Sequence, residues 1–283
     1  MEFEKWHALG NDYLIIEEAV LPFALTPARV RLLCAAHTGI FADGVLLLSK
    51  SAQPGCVAQL RIFNPDGSEA ELSGNGAREA ILYLRRRGWT EADTLTLQTA
   101  AGEIRSTITS ATTCTVEMGR ARLQSADYPS GGEDGRGELH AGGRSWRFQH
   151  VQVGNPQCSI TVGSEAELEA LNLAAVGPEI ERHALFPNRT NVSWFAALGR
   201  GRIRARIFER GVGETSASGT GATGAAVAHV LTGGSSPVAV MLDGGELDVR
   251  VGEDLRINLT GWAVPVFRGT LADEFIKELH AAQ

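Results

Sequence analysis

The sequence predicts an α+β fold built from two similar domains. The first observation is an internal repeat, because Arg-Ile-Phe stands at residues 61–63 and again at 206–208, an offset of 145 residues. The second is that strand-like runs with alternating or continuous apolar residues dominate both halves, each of which has one main helical segment. Such a pattern favours an α+β arrangement over a doubly wound parallel sheet.

The longest repeated segment is a turn of serine and small residues. At the same offset Glu69 matches Glu214, and Ser-Gly-x-Gly-Ala occurs at 73–77 and at 218–222. Looser matches join Gly10-Asn11 to Gly154-Asn155 at almost the same spacing. Several matches in one order and register indicate that one structural unit has been duplicated.

We therefore predict two barrel-like domains, each a mostly antiparallel sheet wrapped on a central helix, related by a pseudo-twofold axis. The first comprises residues 1–118 with a returning C-terminal segment, 264–283. The second comprises residues 119–263.

In the first half, Lys5–Glu18 is predicted to form two strands around the Gly10-Asn11-Asp12 turn. A helix is predicted over Thr26–His37, with Thr26 as its cap and Pro27 in its first turn. The remaining elements of this half are strands at 45–49, 57–63, 94–100, 103–109 and 113–118, and a helix at 77–87.

The second half shows the same kinds of element in a similar order. Ser130–Gly143 is glycine-rich and polar, and we expect it to be a surface loop at a hairpin. The other predicted elements are strands at 146–153, 159–162, 191–197, 201–209, 238–242, 246–251, 255–260 and 263–269, and helices at 174–183, 222–231 and 273–282.

Composition indicates an ordinary soluble globular protein. The 283 residues carry a net charge of -7 without long charged runs, which argues against nucleic acid or an anionic membrane as partner. No apolar signal core or membrane span is recognisable, so a cytoplasmic location is expected. The four cysteines lie far apart and without zinc-type spacing, so we expect buried free thiols and no metal site.

Each copy of the repeat places a serine before Gly-x-Gly and an alanine-rich helix. Small residues allow close backbone approach to a ligand, and the free NH groups of a helix start favour an anion such as a carboxylate. If two such starts faced each other, Ser73 and Ser218 would lie on opposite faces of the carbon beside that carboxylate. This geometry would serve to move a proton from one face of a stereocentre to the other.

Three other interpretations of these serines and glycines compete with this one. Residues 219–224 match the dinucleotide fingerprint GxGxxG, with Asp243 near the expected acidic position, but a polar segment separates them from the nearest strand. A Ser-His-Asp hydrolase lacks support because neither serine lies in GxSxG. Both serines could simply cap their helices. A nucleotide cofactor is therefore not expected.

Beyond these patterns, the sequence resembles the diaminopimelate epimerase family of cofactor-independent amino-acid racemases and epimerases. The resemblance covers almost the whole chain and implies a cofactor-free homodimer acting on a small amino acid. Its motifs are HALGND at 7–12, FNPDGSEAELSGNGAR at 63–78, GNP at 154–156, TNV at 190–192 and ERGVGETSASGTGA at 209–222.

The resemblance assigns roles to particular residues. Ser73 and Ser218 stand at the positions of the family's two catalytic cysteines. The matching substrate-binding positions are Asn11, Asn64, Asn155, Asn191, Glu209 and Arg210, with the helix-start backbone of Gly74, Asn75, Gly219 and Thr220. Arg210 is suited to a bidentate grip on a carboxylate and Glu209 to pairing with an ammonium group.

Both catalytic positions depart from the family, and so do Gln157, usually histidine, and Glu79, often a further cysteine. A serine hydroxyl is about seven pKa units less acidic than a thiol, equivalent to about 10 kcal/mol of proton affinity. No general base is evident beside either serine in its motif. Three interpretations remain open: an epimerase weakened or inactivated by serine, a natural amino-acid-binding relative, and an enzyme of the same fold with different chemistry.

Overall fold

The computed structural model of the protein describes residues 1–282. The chain forms two compact units, Met1–Val116 together with the C-terminal segment from Gly261, and Glu117–Thr260. Both units are sheets that carry helices, and their elements follow the same order. The α+β fold with two similar domains, predicted from the sequence, is confirmed.

The first unit contains the N-terminal strands, two helices and the C-terminal strand and helix. A short 3-10 turn, Glu18–Val20, follows the second strand. The elements are β1 (Glu2–Ala8), β2 (Asn11–Glu17), α1 (Pro27–Cys34), β3 (Val45–Ser49), β4 (Ala58–Phe63), β5 (Glu69–Ala70), α2 (Gly74–Arg86), β6 (Thr94–Thr99), β7 (Gly102–Ile108), β8 (Thr113–Arg120), β18 (Val264–Thr270) and α6 (Asp273–Ala281).

The second unit repeats this plan with an extra short helix. Its elements are β9 (Arg136–Ala141), β10 (Arg144–Val153), β11 (Asn155–Val162), α3 (Glu165–Glu169), α4 (Leu173–Glu181), β12 (Asn191–Gly199), β13 (Arg202–Glu209), β14 (Gly213–Thr215), α5 (Gly219–Leu231), β15 (Val238–Leu242), β16 (Gly245–Val251) and β17 (Arg256–Trp262). The ends of β8 and β17 cross the boundary between the units.

Strand pairing is equivalent in the two units. In the first, β1 and β2 form an antiparallel hairpin, β2 and β3 are parallel, and β3 and β4 are antiparallel. In the second, β10 and β11, β11 and β12, and β12 and β13 repeat those three relations. The short parallel pairing of β4 with β6 likewise recurs as β13 with β15.

One central helix organises each unit. Helices α2 and α5 are both 13 residues long, and their buried residues run without a break over 74–84 and 219–229. A helix buried on every side belongs to the core, which explains its small and apolar residues. A Cβ on Gly76 would lie 2.9 Å from Leu46 Cδ2, and one on Gly221 would lie 2.7 Å from Ile207 Cδ1. The two glycines therefore let each helix start approach the sheet closely.

The repeat also preserves an ion pair at the strand pairing before each central helix. Arg61 Nε donates to Glu69 Oε1 at 2.9 Å, and Arg206 Nε donates to Glu214 Oε1 at the same distance. Phe63 pairs with Glu69 across the strands, as Phe208 does with Glu214. The matched residues seen in the sequence thus hold the same place in each unit.

Most predicted elements are present, with two corrections. Ser130–Gly143 is not a loop throughout, because residues 136–141 form β9 and pair with β10. The many glycines of this segment favour a loop prediction, although the segment contains a strand with alternating burial, in which Leu139 and Ala141 are buried. Helix α1 is capped as predicted, since Thr26 Oγ1 accepts from Arg29 N, but it ends at Cys34. The short helix α3 was not predicted.

The four cysteines are free, and three of them, Cys34, Cys114 and Cys158, are buried. Burial raises the thiol pKa of Cys34 and of Cys114 to about 12, and that of Cys158 well above its ordinary value. These thiols stay protonated at neutral pH and do not supply a thiolate base. Over residues 1–282, no helix is long and apolar enough to cross a membrane.

Candidate functional site

Ser73 caps the central helix of the first unit. Its extended backbone turns the chain from β5 into α2, and its Oγ accepts a hydrogen bond of 3.1 Å from Gly76 N. The phenol of buried Tyr13 donates to the same Oγ at 3.3 Å. Donation from a phenol polarises the serine hydroxyl towards giving up its own proton.

Asn11 and Asn75 meet beside this helix start. Asn75 Nδ2 donates to Asn11 Oδ1 at 3.1 Å, and Asn11 Nδ2 donates to Asp43 Oδ2 at 2.8 Å. Asp43 Oδ2 also accepts from Asp12 N at 3.0 Å, which fixes the chain leaving the β1–β2 turn. The structure therefore brings together Ser73, Asn75 and Asn11, three of the predicted site residues.

Asn64 lies in the turn between β4 and β5, where it bonds locally. Its Nδ2 donates to Ser68 Oγ at 3.0 Å and its backbone NH to Ser68 O at 2.8 Å. This is the turn-forming role expected of an isolated asparagine. Within the described residues, 1–282, the Asn64 side chain is hydrogen-bonded to Ser68 and not to the Asn11 or Asn75 amides, which bond to each other.

Ser218 caps the central helix of the second unit in the same way but has a different partner. Its Oγ accepts from Gly221 N at 3.3 Å and donates to Glu209 Oε2 at 2.9 Å. The other oxygen, Glu209 Oε1, accepts from Thr215 Oγ1 at 2.8 Å. No general base is evident in either serine motif from the sequence, but the structure places the Glu209 carboxylate within hydrogen-bond distance of Ser218 Oγ. The β13–β14 hairpin, rather than the serine motif, supplies the carboxylate.

Asn191 and Arg210 are joined through the backbone. Asn191 Oδ1 accepts from Arg210 N at 2.9 Å, and Asn191 Nδ2 donates to Pro156 O at 3.0 Å. The Arg210 side chain is exposed and its Nη1 donates to Asn188 O at 2.9 Å. Asn191 thus ties together the β10–β11 turn and the end of β13, leaving the guanidinium of Arg210 at the surface.

Asn155 lies at the start of β11, directly after Gly154, whose φ of 77° makes the tight turn. Its Oδ1 accepts from Gln157 Nε2 at 2.6 Å. Gln157 is fully buried, and its Oε1 has no hydrogen-bond partner within residues 1–282. Gln157 and Tyr13 hold matching places in the two repeats, but Tyr13 is hydrogen-bonded to its helix-capping serine whereas Gln157 is hydrogen-bonded to Asn155.

The start of α5 supplies the last two predicted residues, Gly219 and Thr220, both buried. Asp243, considered above as part of a nucleotide fingerprint, instead pairs with Arg204. Among residues 1–282 there is no cluster of three or more His, Cys, Asp or Glu side chains able to hold a metal ion. Sequence reasoning missed Tyr13, Asp43 and Thr215, because no local motif marks them.

Solved structures with this fold include a racemase and an epimerase. A hydroxyproline epimerase from Agrobacterium vitis superposes with a TM-score of 0.67 at 16% identity, covering 95% of this chain and 91% of the other. A probable proline racemase from Agrobacterium radiobacter K84 gives a TM-score of 0.66 at 17% identity, covering 96% and 93%. Likeness at this level of identity establishes the fold alone.

Sequence similarity goes further than the fold. The family described as diaminopimelate epimerase matches residues 3–124 and 149–265. The diaminopimelate epimerase of Magnetococcus marinus is 42% identical over 273 residues, covering 95% of this chain and 96% of the relative. That of Desulforudis audaxviator is 42% identical over 278 residues, covering 95% and 98%. The chain belongs to the diaminopimelate epimerase family, a family of enzymes.

Proposed function

We propose that the protein binds diaminopimelate, and that its reaction is the interconversion of the LL and meso forms, weakened by serine at both catalytic positions. The observation that carries this proposal is the pair of serine-capped helix starts, one in each unit, in a chain of this family. The relatives' names support the choice of substrate.

The reaction needs a base, an acid and a stabiliser for the enolate-like carboxylate that forms when the α-proton leaves. In this proposal the backbone NH groups of Gly74, Asn75, Gly219 and Thr220 receive that carboxylate. Helix starts suit this task because their free NH groups and dipole favour negative charge. Asn11, Asn64, Asn155, Asn191, Glu209 and Arg210 then hold the rest of the substrate.

The two serines differ in the side chain to which each is hydrogen-bonded, and therefore in the direction in which each can move a proton. The Glu209 carboxylate can accept the Ser218 proton while Ser218 takes one from substrate, so that a relay replaces a thiolate. On the other side Ser73 gives its proton to the substrate carbon, and the Tyr13 phenol, which donates a hydrogen bond to Ser73 Oγ, passes its own proton to that oxygen. We therefore propose that residual chemistry runs with Ser218 as base and Ser73 as acid, much more slowly than with thiols.

The proposal is tested by calorimetric titration of the unmodified chain with LL- and meso-diaminopimelate and, separately, with proline. Binding of diaminopimelate and no heat from proline is the expected result. Tight binding of proline without binding of diaminopimelate would overturn the substrate assignment. Family resemblance also supports a cofactor-free homodimer in the cytoplasm, and light scattering of the purified chain tests the dimer.

A second candidate function is binding without turnover. The observation that favours it is that the hydroxyl, not the thiol, occupies both positions, while the residues proposed to hold the substrate are retained. Such a protein would bind diaminopimelate and show no exchange of its α-hydrogens. Deuterium exchange measured alongside calorimetry separates the two candidates.

A further inference from the structure

Arg78 is a fully buried cation in the first turns of α2. Its Nη1 donates to Gly74 O at 2.9 Å and its Nη2 to Asn75 Oδ1 at 2.7 Å, while its Nε has no partner. Both acceptors are neutral groups at the helix start. Within residues 1–282 no carboxylate oxygen is hydrogen-bonded to this guanidinium, and the one carboxyl that acts on it electrostatically is Glu79.

The neighbouring carboxyl, Glu79, makes no hydrogen bond to Arg78 within residues 1–282. Glu79 is fully buried, and burial raises its pKa well above the ordinary value, which disfavours the ionised form that would neutralise Arg78. Burial also lowers the pKa of Arg78, to about 10, which still leaves the guanidinium charged. The start of α2 therefore lies beside a positive charge whose direct hydrogen-bond acceptors are both neutral.

The second repeat shows that the hydrogen bond alone does not require a charge. Thr223 stands at the position matching Arg78, is fully buried, and donates through Oγ1 to Gly219 O at 2.8 Å. Gly219 and Gly74 are the matching first residues of the two helices. A neutral hydroxyl thus makes the same contact, and the charge of Arg78 is a feature of the first helix start only.

Two physical costs accompany Arg78. A buried charge without a counter-ion is unfavourable, and a cation near a helix start is repelled by the positive end of the helix dipole. An anion bound to the free NH groups of that start relieves both costs at once. Arg78 is hydrogen-bonded to Asn75 Oδ1, and Asn75 in turn donates to Asn11. Both amides therefore lie beside the start of α2.

We infer that Arg78 is a positioning residue for a substrate carboxylate at the start of α2, acting through its charge and through Asn75, and that the two helix starts differ in anion affinity. This inference rests on the proposed function. It assigns to the first unit most of the attraction for the carboxylate. Thr223 makes the corresponding contact in the second unit without a charge.

The test compares four proteins: the unmodified chain, Arg78→Gln, Arg78→Lys and the matched control Thr223→Val. Each is titrated calorimetrically with LL-diaminopimelate, and its thermal unfolding is measured without ligand. We expect Arg78→Gln to weaken binding about 10-fold or more and Arg78→Lys, which keeps the charge, to remain within about 3-fold. Thr223→Val should bind like the unmodified chain. The unliganded Tm of Arg78→Gln should be no lower than that of the unmodified chain, since an unpaired buried charge is removed.

Two results would overturn the inference. One is unchanged affinity in Arg78→Gln. The other is weaker binding by Arg78→Gln together with a clear drop in its unliganded Tm, as a purely structural role requires. If the unmodified chain does not bind diaminopimelate, the proposed function has failed and a bare carboxylate tests Arg78 separately. In that case sodium acetate should stabilise the unmodified chain against heat and leave Arg78→Gln unaffected. Equal stabilisation of both, or of neither, would refute the role of Arg78.

Discussion

The Ser218 hydroxyl donates to Glu209 Oε2 at 2.9 Å, across the nine residues that separate β13 from the start of α5. The corresponding serine of the first repeat, Ser73, instead accepts a hydrogen bond from the phenol of Tyr13. The duplicated motif is therefore conserved in backbone but not in its hydrogen-bond partners. One serine contacts a group that can accept a proton, and the other contacts a group that donates one.

The first prediction concerns that carboxylate. Glu209→Gln should abolish the slow exchange of substrate α-hydrogen for solvent deuterium that we propose for the unmodified chain, because an amide cannot accept the Ser218 proton. General-base catalysis contributes about 10²- to 10⁴-fold, so exchange should fall to the solvent background. The measurement is mass spectrometry of diaminopimelate incubated in deuterated water with stoichiometric protein.

Glu214→Gln is the matched control, since Glu214 lies in the same hairpin but bonds to Arg206 rather than to Ser218. It should exchange like the unmodified chain. Equal exchange by Glu209→Gln and the unmodified chain, at any level, would show that Glu209 does not act as a base.

Substitution of Arg210 tests how the second amino-acid end of diaminopimelate is bound. Arg210→Ala should weaken diaminopimelate by about 10-fold or more, as expected for loss of a charge-assisted bidentate contact, and leave a one-headed amino acid unaffected. Stability should hardly change, because the backbone NH that bonds to Asn191 is retained and the side chain is exposed. Calorimetry checks the affinities.

The control for this substitution is Arg202→Ala, another exposed arginine of the same unit, paired with Glu246. Its affinity for diaminopimelate should match that of the unmodified chain. If Arg210→Ala weakened both ligands equally, Arg210 would not be specific for the second carboxylate.

His150 predicts the response of folding stability to acid. It is fully buried, its Nε2 lies 2.9 Å from Ser125 Oγ, and burial lowers its pKa to about 4. The unfolded chain takes up a proton near pH 6.5 and the folded chain does not, so stability is complete above pH 6.5 and falls as the pH drops towards 4. The loss is about 3 kcal/mol for a difference of this size.

Urea unfolding between pH 4.5 and 7.5 measures this loss. His150→Gln should flatten the dependence over that range, whereas exposed His140→Gln, in the neighbouring strand, should preserve it. A slope that is the same in all three proteins would assign the acid sensitivity to other groups.

Local signals and the repeat predicted most of the fold. Thr26 and Pro27 marked the start of α1, and the matched serines marked the starts of α2 and α5, because a helix cap is a local arrangement. The contacts between Tyr13 and Ser73 and between Ser218 and Glu209 were not predictable in this way. They depend on which face of a strand meets the helix start, and that is fixed by strand pairing rather than by neighbouring sequence.

The last prediction restores the thiols. Ser73→Cys with Ser218→Cys should epimerise diaminopimelate, because about 10 kcal/mol of proton affinity separates a hydroxyl from a thiol. The two single variants should differ. Ser73→Cys keeps the hydrogen bond between Ser218 and Glu209 and should be the faster of the two. In Ser218→Cys, the side chain hydrogen-bonded to Ser73 within residues 1–282 is that of Tyr13. This variant should therefore mainly exchange the hydrogen that faces the new thiol. Deuterium incorporation and stereoisomer ratio are followed for all four proteins. Rapid turnover by the unmodified chain would show that the bases are wrongly assigned, and an inert double variant would favour a relative that binds without epimerising.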